Sequence, residues 1–215
     1  MADGFPNLGA SAPYAITQAD RDAIAAAISE DEIVQLALTL GNIPAPSGKE
    51  LEVANYVYDW MAREGFSPRK VGATPERPNI IGTHGGKGVG KNLLFTAHLD
   101  TEAPTWNPDL DAYKYSPETM ANPEWEKCWL EDGKLFGYPI ANDRGPMSCF
   151  MIAAKALKTA GYELAGKMYL TACPGEIGPE PIEEHRGVAY MGKDIGAHYL
   201  FHHGGVAPDY AIAAE

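Results

Sequence analysis

The sequence has no paired cysteines. Its three, Cys128, Cys149 and Cys173, are scattered, odd in number and form no C-x-x-C pair. A disulfide scaffold and a thiolate zinc site are therefore not expected, and a reducing cytoplasm is the expected compartment. Positive charge is also scarce: Lys and Arg total 17 against 29 Asp and Glu, a formal net charge of −12. Nucleic acid and anionic membranes both reward basic patches, so neither is expected as a partner. No apolar run approaches the roughly 20 residues of a membrane span. No basic region followed by an apolar stretch opens the chain, so no secretory signal is read.

What is present is apolar content of 45% in 215 residues, enough for the core of one large domain or one and a half. Residues 1–16, rich in Gly, Pro and Ala without a period, read as an N-terminal arm, mobile or draped over a partner subunit. Residues 17–215 then alternate helical and strand signals. Thr17 caps a helix over Asp20 to Ile28, and Ile33, Leu36, Ala37 and Leu40 stripe a second from Glu30 to Leu40. Ser47 with Glu50 three residues on has capping-box spacing for a third, ending at Gly65. Strands are expected over Asn79 to Thr83, Lys167 to Ala172, Tyr199 to Phe201 and Tyr210 to Ala213. The glycine-rich stretch 84–90 reads as a hairpin turn. A second hairpin is expected about Asp132-Gly133, and a helix from Pro146 to Gly161.

The stretch of greatest interest is Asn92-Leu93-Leu94-Phe95-Thr96-Ala97-His98-Leu99-Asp100. Its apolar run reads as a strand buried on both faces, as in an α/β sheet. At a period of two, His98 and Asp100 point the same way from its carboxyl end, where open α/β sheets place their sites. A metal-bound imidazole donates its second N–H to a carboxylate or carbonyl, which is the reason to pair these residue types. The long stretch from Thr101 to Lys127 leaves from this corner. Its Trp106, Tyr113, Tyr115 and Trp125 either line a substrate pocket or pin the loop. Three further acids occupy strand ends or turns: Asp143, Glu176 and Glu215. Mixed imidazole and carboxylate donors suit Zn²⁺, Mn²⁺, Co²⁺ or Fe²⁺, and two such ions roughly 3.5–4 Å apart activate a water and hold an oxyanion.

Six motifs now stand in order: Pro-Ser-Gly-Lys-Glu at 46–50, Ala-His-Leu-Asp-Thr at 97–101, Asp-Gly-Lys-Leu-Phe-Gly at 132–137, Asn-Asp-Arg-Gly at 142–145, Gly-Glu-Ile-Gly at 175–178, and Pro-Asp-Tyr-Ala-Ile-Ala-Ala-Glu at 208–215. In this order they resemble the zinc aminoacylase and carboxypeptidase family that includes acetylornithine deacetylase, succinyl-diaminopimelate desuccinylase and glutamate carboxypeptidase. The resemblance covers roughly residues 30–215. It implies a three-layer, phosphorylase/hydrolase-like α/β sheet with helices on both faces, of which residues 17–215 are the N-terminal part of the catalytic domain.

The resemblance implies one or two divalent ions, Zn²⁺, Mn²⁺ or Co²⁺, and a small-molecule substrate. It makes His98, Asp143 and Glu215 first-site ligands, with Asp143 bridging. Glu176 then binds the second ion and Asp100 orients His98. The implied reaction is hydrolysis of a C–N bond in an acylamino acid or small peptide. One departure stands out. The family has two acids where this chain has Gly175-Glu176, and the first of them is the general base. Glu183 or Glu184 is the expected substitute. The departure also leaves open an aminohydrolase that replaces an aromatic amine with hydroxide, as in the nitroanthranilate aminohydrolase, or a degenerate binding member. The family's second-site His and dimerisation domain lie beyond Glu215. The expected partners are therefore the rest of a precursor or a second chain, in a homo-oligomer, with a large apolar sheet edge exposed.

Overall fold

A computed structural model describes residues 16–101, 123–177 and 192–215. Residues 1–15, which make up nearly all of the expected arm, lie outside them, as do Trp106, Tyr113, Tyr115, Glu183 and Glu184.

The strong amphipathic signals become helices α1 (Gln18–Ala26), α2 (Glu30–Gly41) and α3 (Leu51–Arg63). Thr17 caps α1 in a full capping box with Asp20, and Ser29 caps α2. Next come strands β1 (Arg69–Val71), β2 (Asn79–Gly85) and β3 (Leu93–His98), then the hairpin β4 (Trp129–Glu131) and β5 (Lys134–Phe136). Asp132 and Gly133 at the hairpin tip both have positive φ, the conformation a two-residue turn of this hand requires. Helix α4 (Gly145–Thr159), strand β6 (Lys167–Cys173), the short helix α5 (Tyr199–His203) and strand β7 (Tyr210–Ala213) complete the chain.

The five-stranded sheet has the order β1-β2-β6-β3-β7. Strands β6, β3 and β7 run parallel, while β1 and β2 are antiparallel to their neighbours. Side chains alternate across it as the pleat demands. Met168, Leu170 and Ala172 of β6 join Phe95 and Ala97 of β3 in the larger cluster, beneath α2, α3 and α4. Tyr169 and Cys173 join Leu94 and Leu200 in a smaller cluster beneath α5. Helices therefore cover both faces, as a mixed α/β sheet requires. The outer strand β7 is exposed throughout, with Tyr210 at 63% and Ile212 at 47%.

Three local readings are corrected by the structure. Ser47 caps no helix: Glu50 is the N-cap residue of α3 without a side-chain bond, because both side chains are taken elsewhere. Ser47 donates to Asp100, and Glu50 pairs with Arg77 in a fully buried ion pair. Residues 84–90 form no hairpin, since β6 lies between β2 and β3. The turn crosses the start of β6, where Gly86 and Gly88 donate to backbone carbonyls of residues 164–166. Tyr199 to Phe201 is helix, not strand. Only Leu200 of that run is buried, and Tyr199 meets His203 one turn on, ring centroids 4.3 Å apart. One buried position per turn is a helical period that three residues are too short to display.

The cysteines give a direct check of burial. Cys128 and Cys173 are buried, and burial pushes both thiols up to about 11, whereas Cys149 is exposed. The thiolate is the nucleophile. Iodoacetamide at neutral pH is therefore expected to modify Cys149 alone in the native protein and all three only after unfolding. Mass mapping of the adducts reads this, and rapid native labelling of Cys173 would contradict the packing described.

Candidate metal centre

The three parallel strands set the site. In the ladder His98 of β3 pairs with Cys173 of β6, and Thr96 with Ala213 of β7. All three strands therefore end at one edge of the sheet. His98 is the last residue of β3; Glu176 follows β6 by three residues; Glu215 follows β7 by two. The fourth group, Asp143, comes from an irregular turn at residues 140–144 just before α4, where Asn142 and Asp143 have non-helical backbone angles and the peptide between them is cis. His98, Asp143, Glu176 and Glu215 line one cavity of about 310 Å³, together with Lys193 and His198. The placement that sequence spacing could only suggest is thus a consequence of strand order.

The imidazole sits at the floor, 3% exposed, beside Asp143 at 1%. His98 Nδ1 lies 2.7 Å from the backbone carbonyl of Asp100 and 3.6 Å from its carboxylate. A carbonyl only accepts, so Nδ1 carries the proton and donates it. That leaves the other ring nitrogen, Nε2, 3.1 Å from Asp143 Oδ2 and 4.0 Å from Glu176 Oε2. Nε2 and Asp143 Oδ1 are both buried without a hydrogen-bond partner. A neutral ring would face carboxylate oxygens with its lone pair, which is repulsive unless positive charge stands between them.

Burial alone would lower the His98 pKa, but Asp100 and Asp143 lift it above the ordinary value. Burial raises the Asp143 carboxyl; His98 pulls it back down in part, and Glu215 and Glu176 add smaller repulsions. The imidazole and carboxylate donors gathered here are of the types that divalent transition-metal ions take. Among the described residues no group of three such side chains is yet drawn into a finished coordination shell. Glu176 and Glu215 are the exposed members.

Asp100 organises the surroundings. It is fully buried; its Oδ2 accepts from Ser47 Oγ at 2.7 Å and its Oδ1 from the backbone N–H of Glu176 at 3.0 Å. Burial opposes ionisation, but the bonds from His98, Ser47 and Glu176 prevail and hold the carboxyl below its usual value. One carboxylate thus ties the 46–50 turn and the Glu176 loop to the His98 strand end. Arg144, fully buried, donates from Nη1 to the His98 carbonyl at 3.2 Å and from Nη2 to the Leu99 carbonyl. Burial lowers its pKa to about 10, with Asp100 and Asp143 opposing, so it stays charged at neutral pH. It braces the backbone at the strand end.

Ser47 is the residue whose part the sequence misassigned, and its substitution is informative. Ser47→Ala leaves a buried carboxylate oxygen without its donor. Loss of such an outer partner typically costs about 10- to 100-fold in metal affinity. Zinc titration against a competing chelator is expected to show a weakening of that order. An unchanged affinity would remove Asp100 from the positioning role.

The remaining expectations fall as follows. Gly175 has φ +79°, and a Cβ placed there would lie 2.7 Å from the Gly192 carbonyl oxygen. This backbone has no room for the acid that the family carries at that position. Trp125 stacks on Tyr138 with centroids 6.0 Å apart, which pins its end of the loop. His202 and His203, also imidazoles, lie exposed on α5, the first edge-on to His198 and the second tilted against Tyr199, and do not line the cavity. Lys193 and His198, which do line it, carried no motif or period that would have singled them out.

No family model matches the chain. Among curated proteins it is similar to the N-formyl-4-amino-5-aminomethyl-2-methylpyrimidine deformylase of Bacillus subtilis strain 168, 26% identical over 156 residues, covering 68% of this chain and 33% of the relative. It is also similar to a probable succinyl-diaminopimelate desuccinylase of Staphylococcus epidermidis, 25% identical over 150 residues, covering 69% and 34%. The chain therefore spans about a third of the length of the curated relatives it matches. Among solved structures, human carnosine dipeptidase 1 superposes with a TM-score of 0.62 at 17% identity over 90% of this chain and 40% of its own. A metallo-carboxypeptidase from Sulfolobus solfataricus gives 0.56 at 18% identity over 86% and 37%. At those identities the structural likenesses speak for the fold. Taken with the ordered motifs, the curated relatives make this chain similar to the zinc aminoacylase and carboxypeptidase family.

Proposed function

We propose that the chain is the ion-binding segment of a metal-dependent hydrolase that cleaves a C–N amide bond in a small substrate. The observation that carries the proposal is the buried His98 Nε2 and Asp143 Oδ1, both unpartnered, at the floor of a cavity whose walls bring two more carboxylates. His98, Asp143 and Glu215 are the residues to hold a first ion and Glu176 a second, with Asp143 shared between them. A divalent ion bound there supplies Lewis acidity, polarising a carbonyl and lowering the pKa of water.

The chain's own groups do the rest. Asp100 fixes the His98 tautomer through its carbonyl and holds the Glu176 loop through its carboxylate. Arg144 donates to the His98 carbonyl at the strand end. A carboxylate must accept the proton of the attacking water within hydrogen-bond reach. With Gly175 in the usual place, Glu183 and Glu184 are the groups we assign to it. Among the reactions the sequence left open, amide hydrolysis is favoured because the curated relatives are named a deformylase and a desuccinylase.

Elemental analysis of the purified chain is expected to find zinc, manganese or cobalt, removable by a chelator and restored by adding the ion back. Hydrolysis of N-formyl or N-succinyl amines is expected to vanish and return with it. Unchanged turnover after complete metal removal would refute the proposal.

A further inference from the structure

Half of the chain's six histidines fall within a single short run: His198, His202 and His203. None of them is assigned to the cavity floor. Had this run been strand, His198 and His202 would stand about 13 Å apart, at about 3.3 Å per residue. In a helix, residues four apart share one face, with Cβ atoms about 5–6 Å from each other. His198 and Tyr199 both have right-handed helical angles and lead straight into α5, so the spacing is helical from His198 onward. The His198 and His202 rings meet edge-on, with centroids 4.5 Å apart and planes at 68°. Both side chains are exposed to solvent.

The backbone beneath the pair is tied on either side. Asn79 Nδ2 donates to the Ile195 carbonyl at 2.8 Å, and Gly204 N–H donates to the Leu200 carbonyl at 2.7 Å. The Gly204 carbonyl in turn accepts from Arg69, and Leu200 is fully buried. The two rings thus project from a fixed turn, and an ion that takes both has little backbone to order. A metal-ligating imidazole hands its other ring N–H to a carboxylate or carbonyl. Asp194 Oδ1 stands 3.9 Å from His198 Nδ1, which leaves His198 Nε2 as the donor nitrogen. His203 is engaged elsewhere: its ring lies 4.3 Å from that of Tyr199 and 6.4 Å from that of His202.

We infer that His198 and His202 form an accessory chelate for a transition-metal ion, Cu²⁺, Ni²⁺ or Zn²⁺, separate from the cavity floor. Imidazole nitrogen suits these ions, and the general affinity order puts Cu²⁺ above both others. Mg²⁺ and Ca²⁺ take oxygen ligands and do not fit a pair of ring nitrogens. Among the described residues no group of three metal-binding side chains is assembled, so water fills the remaining positions of the ion. His198 lines the cavity and His202 does not, which puts the ion at the cavity mouth. The acidic chain, at a net charge of −12, favours the approach of a cation.

Nickel is the probe. It is titrated calorimetrically into the zinc-loaded full chain and into its His198→Gln, His202→Gln and His203→Gln variants, with zinc content and a thermal melt measured on each. Wild type is expected to take up one nickel ion without releasing zinc. Loss of an outer partner already costs a metal site about 10- to 100-fold, so loss of a ligand in His198→Gln or His202→Gln should weaken nickel binding at least about tenfold. His203→Gln should leave the affinity at the wild-type value, and magnesium should give no heat of binding. Nickel affinity unchanged in either His198→Gln or His202→Gln overturns the inference. An equal loss in His203→Gln overturns it too, as does nickel uptake matched throughout by zinc release. The difference between wild type and His202→Gln is read whether or not the floor holds zinc. A chain that takes up no zinc therefore refutes the metal-dependent reading alone, and the nickel difference still decides this one.

Discussion

Asp143→Asn is expected to abolish metal-dependent hydrolysis while leaving the fold in place. The side chain is 1% exposed, its Oδ2 faces His98 Nε2 at 3.1 Å, and its Oδ1 has no partner. Converting it to an amide keeps the shape but removes the charge that a cation at this point needs. It also presents an N–H or a neutral oxygen to a nitrogen lone pair. Loss of an outer-shell partner already costs about 10- to 100-fold. Loss of the group we assign to bridge the ions should exceed that in both metal affinity and kcat. The fold should survive, because burial disfavours the charged form of Asp143. Removing that charge ends the cost of burying it and the repulsion from Glu176 and Glu215, against the loss of its attraction to His98. A metal titration with a turnover assay reads the first effect, and a thermal melt of the metal-free chain reads the second. The expected pairing is a loss of binding with an equal or higher Tm. Full metal affinity in Asp143→Asn would take Asp143 out of the site.

Arg144→Met is the substitution with the largest expected effect on stability. Arg144 is fully buried and reaches the carbonyls of both His98 and Leu99. Its charge also faces the buried Asp100 and Asp143. Methionine fills similar space but leaves two carbonyls undonated and two carboxylates without their counter-charge. Breaking a buried ionic arrangement by removing one partner costs about 3–5 kcal/mol. For a chain of this size that corresponds to a fall in Tm of about 6–20 °C. Lysine should not rescue it, since an ammonium cannot fork to two carbonyls as a guanidinium does. A melt within about 2 °C of wild type would show that the strand end holds itself.

Much of the architecture was legible because its signals are local. The Leu36, Ala37 and Leu40 stripe, the Thr17 cap and the Asp132-Gly133 turn each act over a few residues, and each formed as the pattern implies. The apolar run from Leu93 to Ala97 also declared a strand with two covered faces. The failures have a common cause. Ser47 and Glu50 have the spacing of a capping box, yet each found a stronger partner far along the chain, Asp100 and Arg77. The turn at 84–90 looked like a hairpin because nothing local announces that β6 will insert between β2 and β3. Tyr199 to Phe201 was too short to display its period.

By itself the sequence determined which residue types are available: one imidazole and several acids, each placed at a strand end or turn, in an order shared with a known family. It also determined what surrounds them, an acidic surface with neither a basic patch nor a cysteine pair. Tertiary structure alone decided that those acids converge. The parallel order β6-β3-β7 brings three strand tips to one edge, and the turn before α4 delivers Asp143 between them. It decided as well that Asp100 is a hub and that Lys193 and His198 stand at the rim. Sequence spacing records which way a side chain leaves its own strand. It holds no record of which strand lies alongside, and the strand alongside is what puts charges within reach of one another.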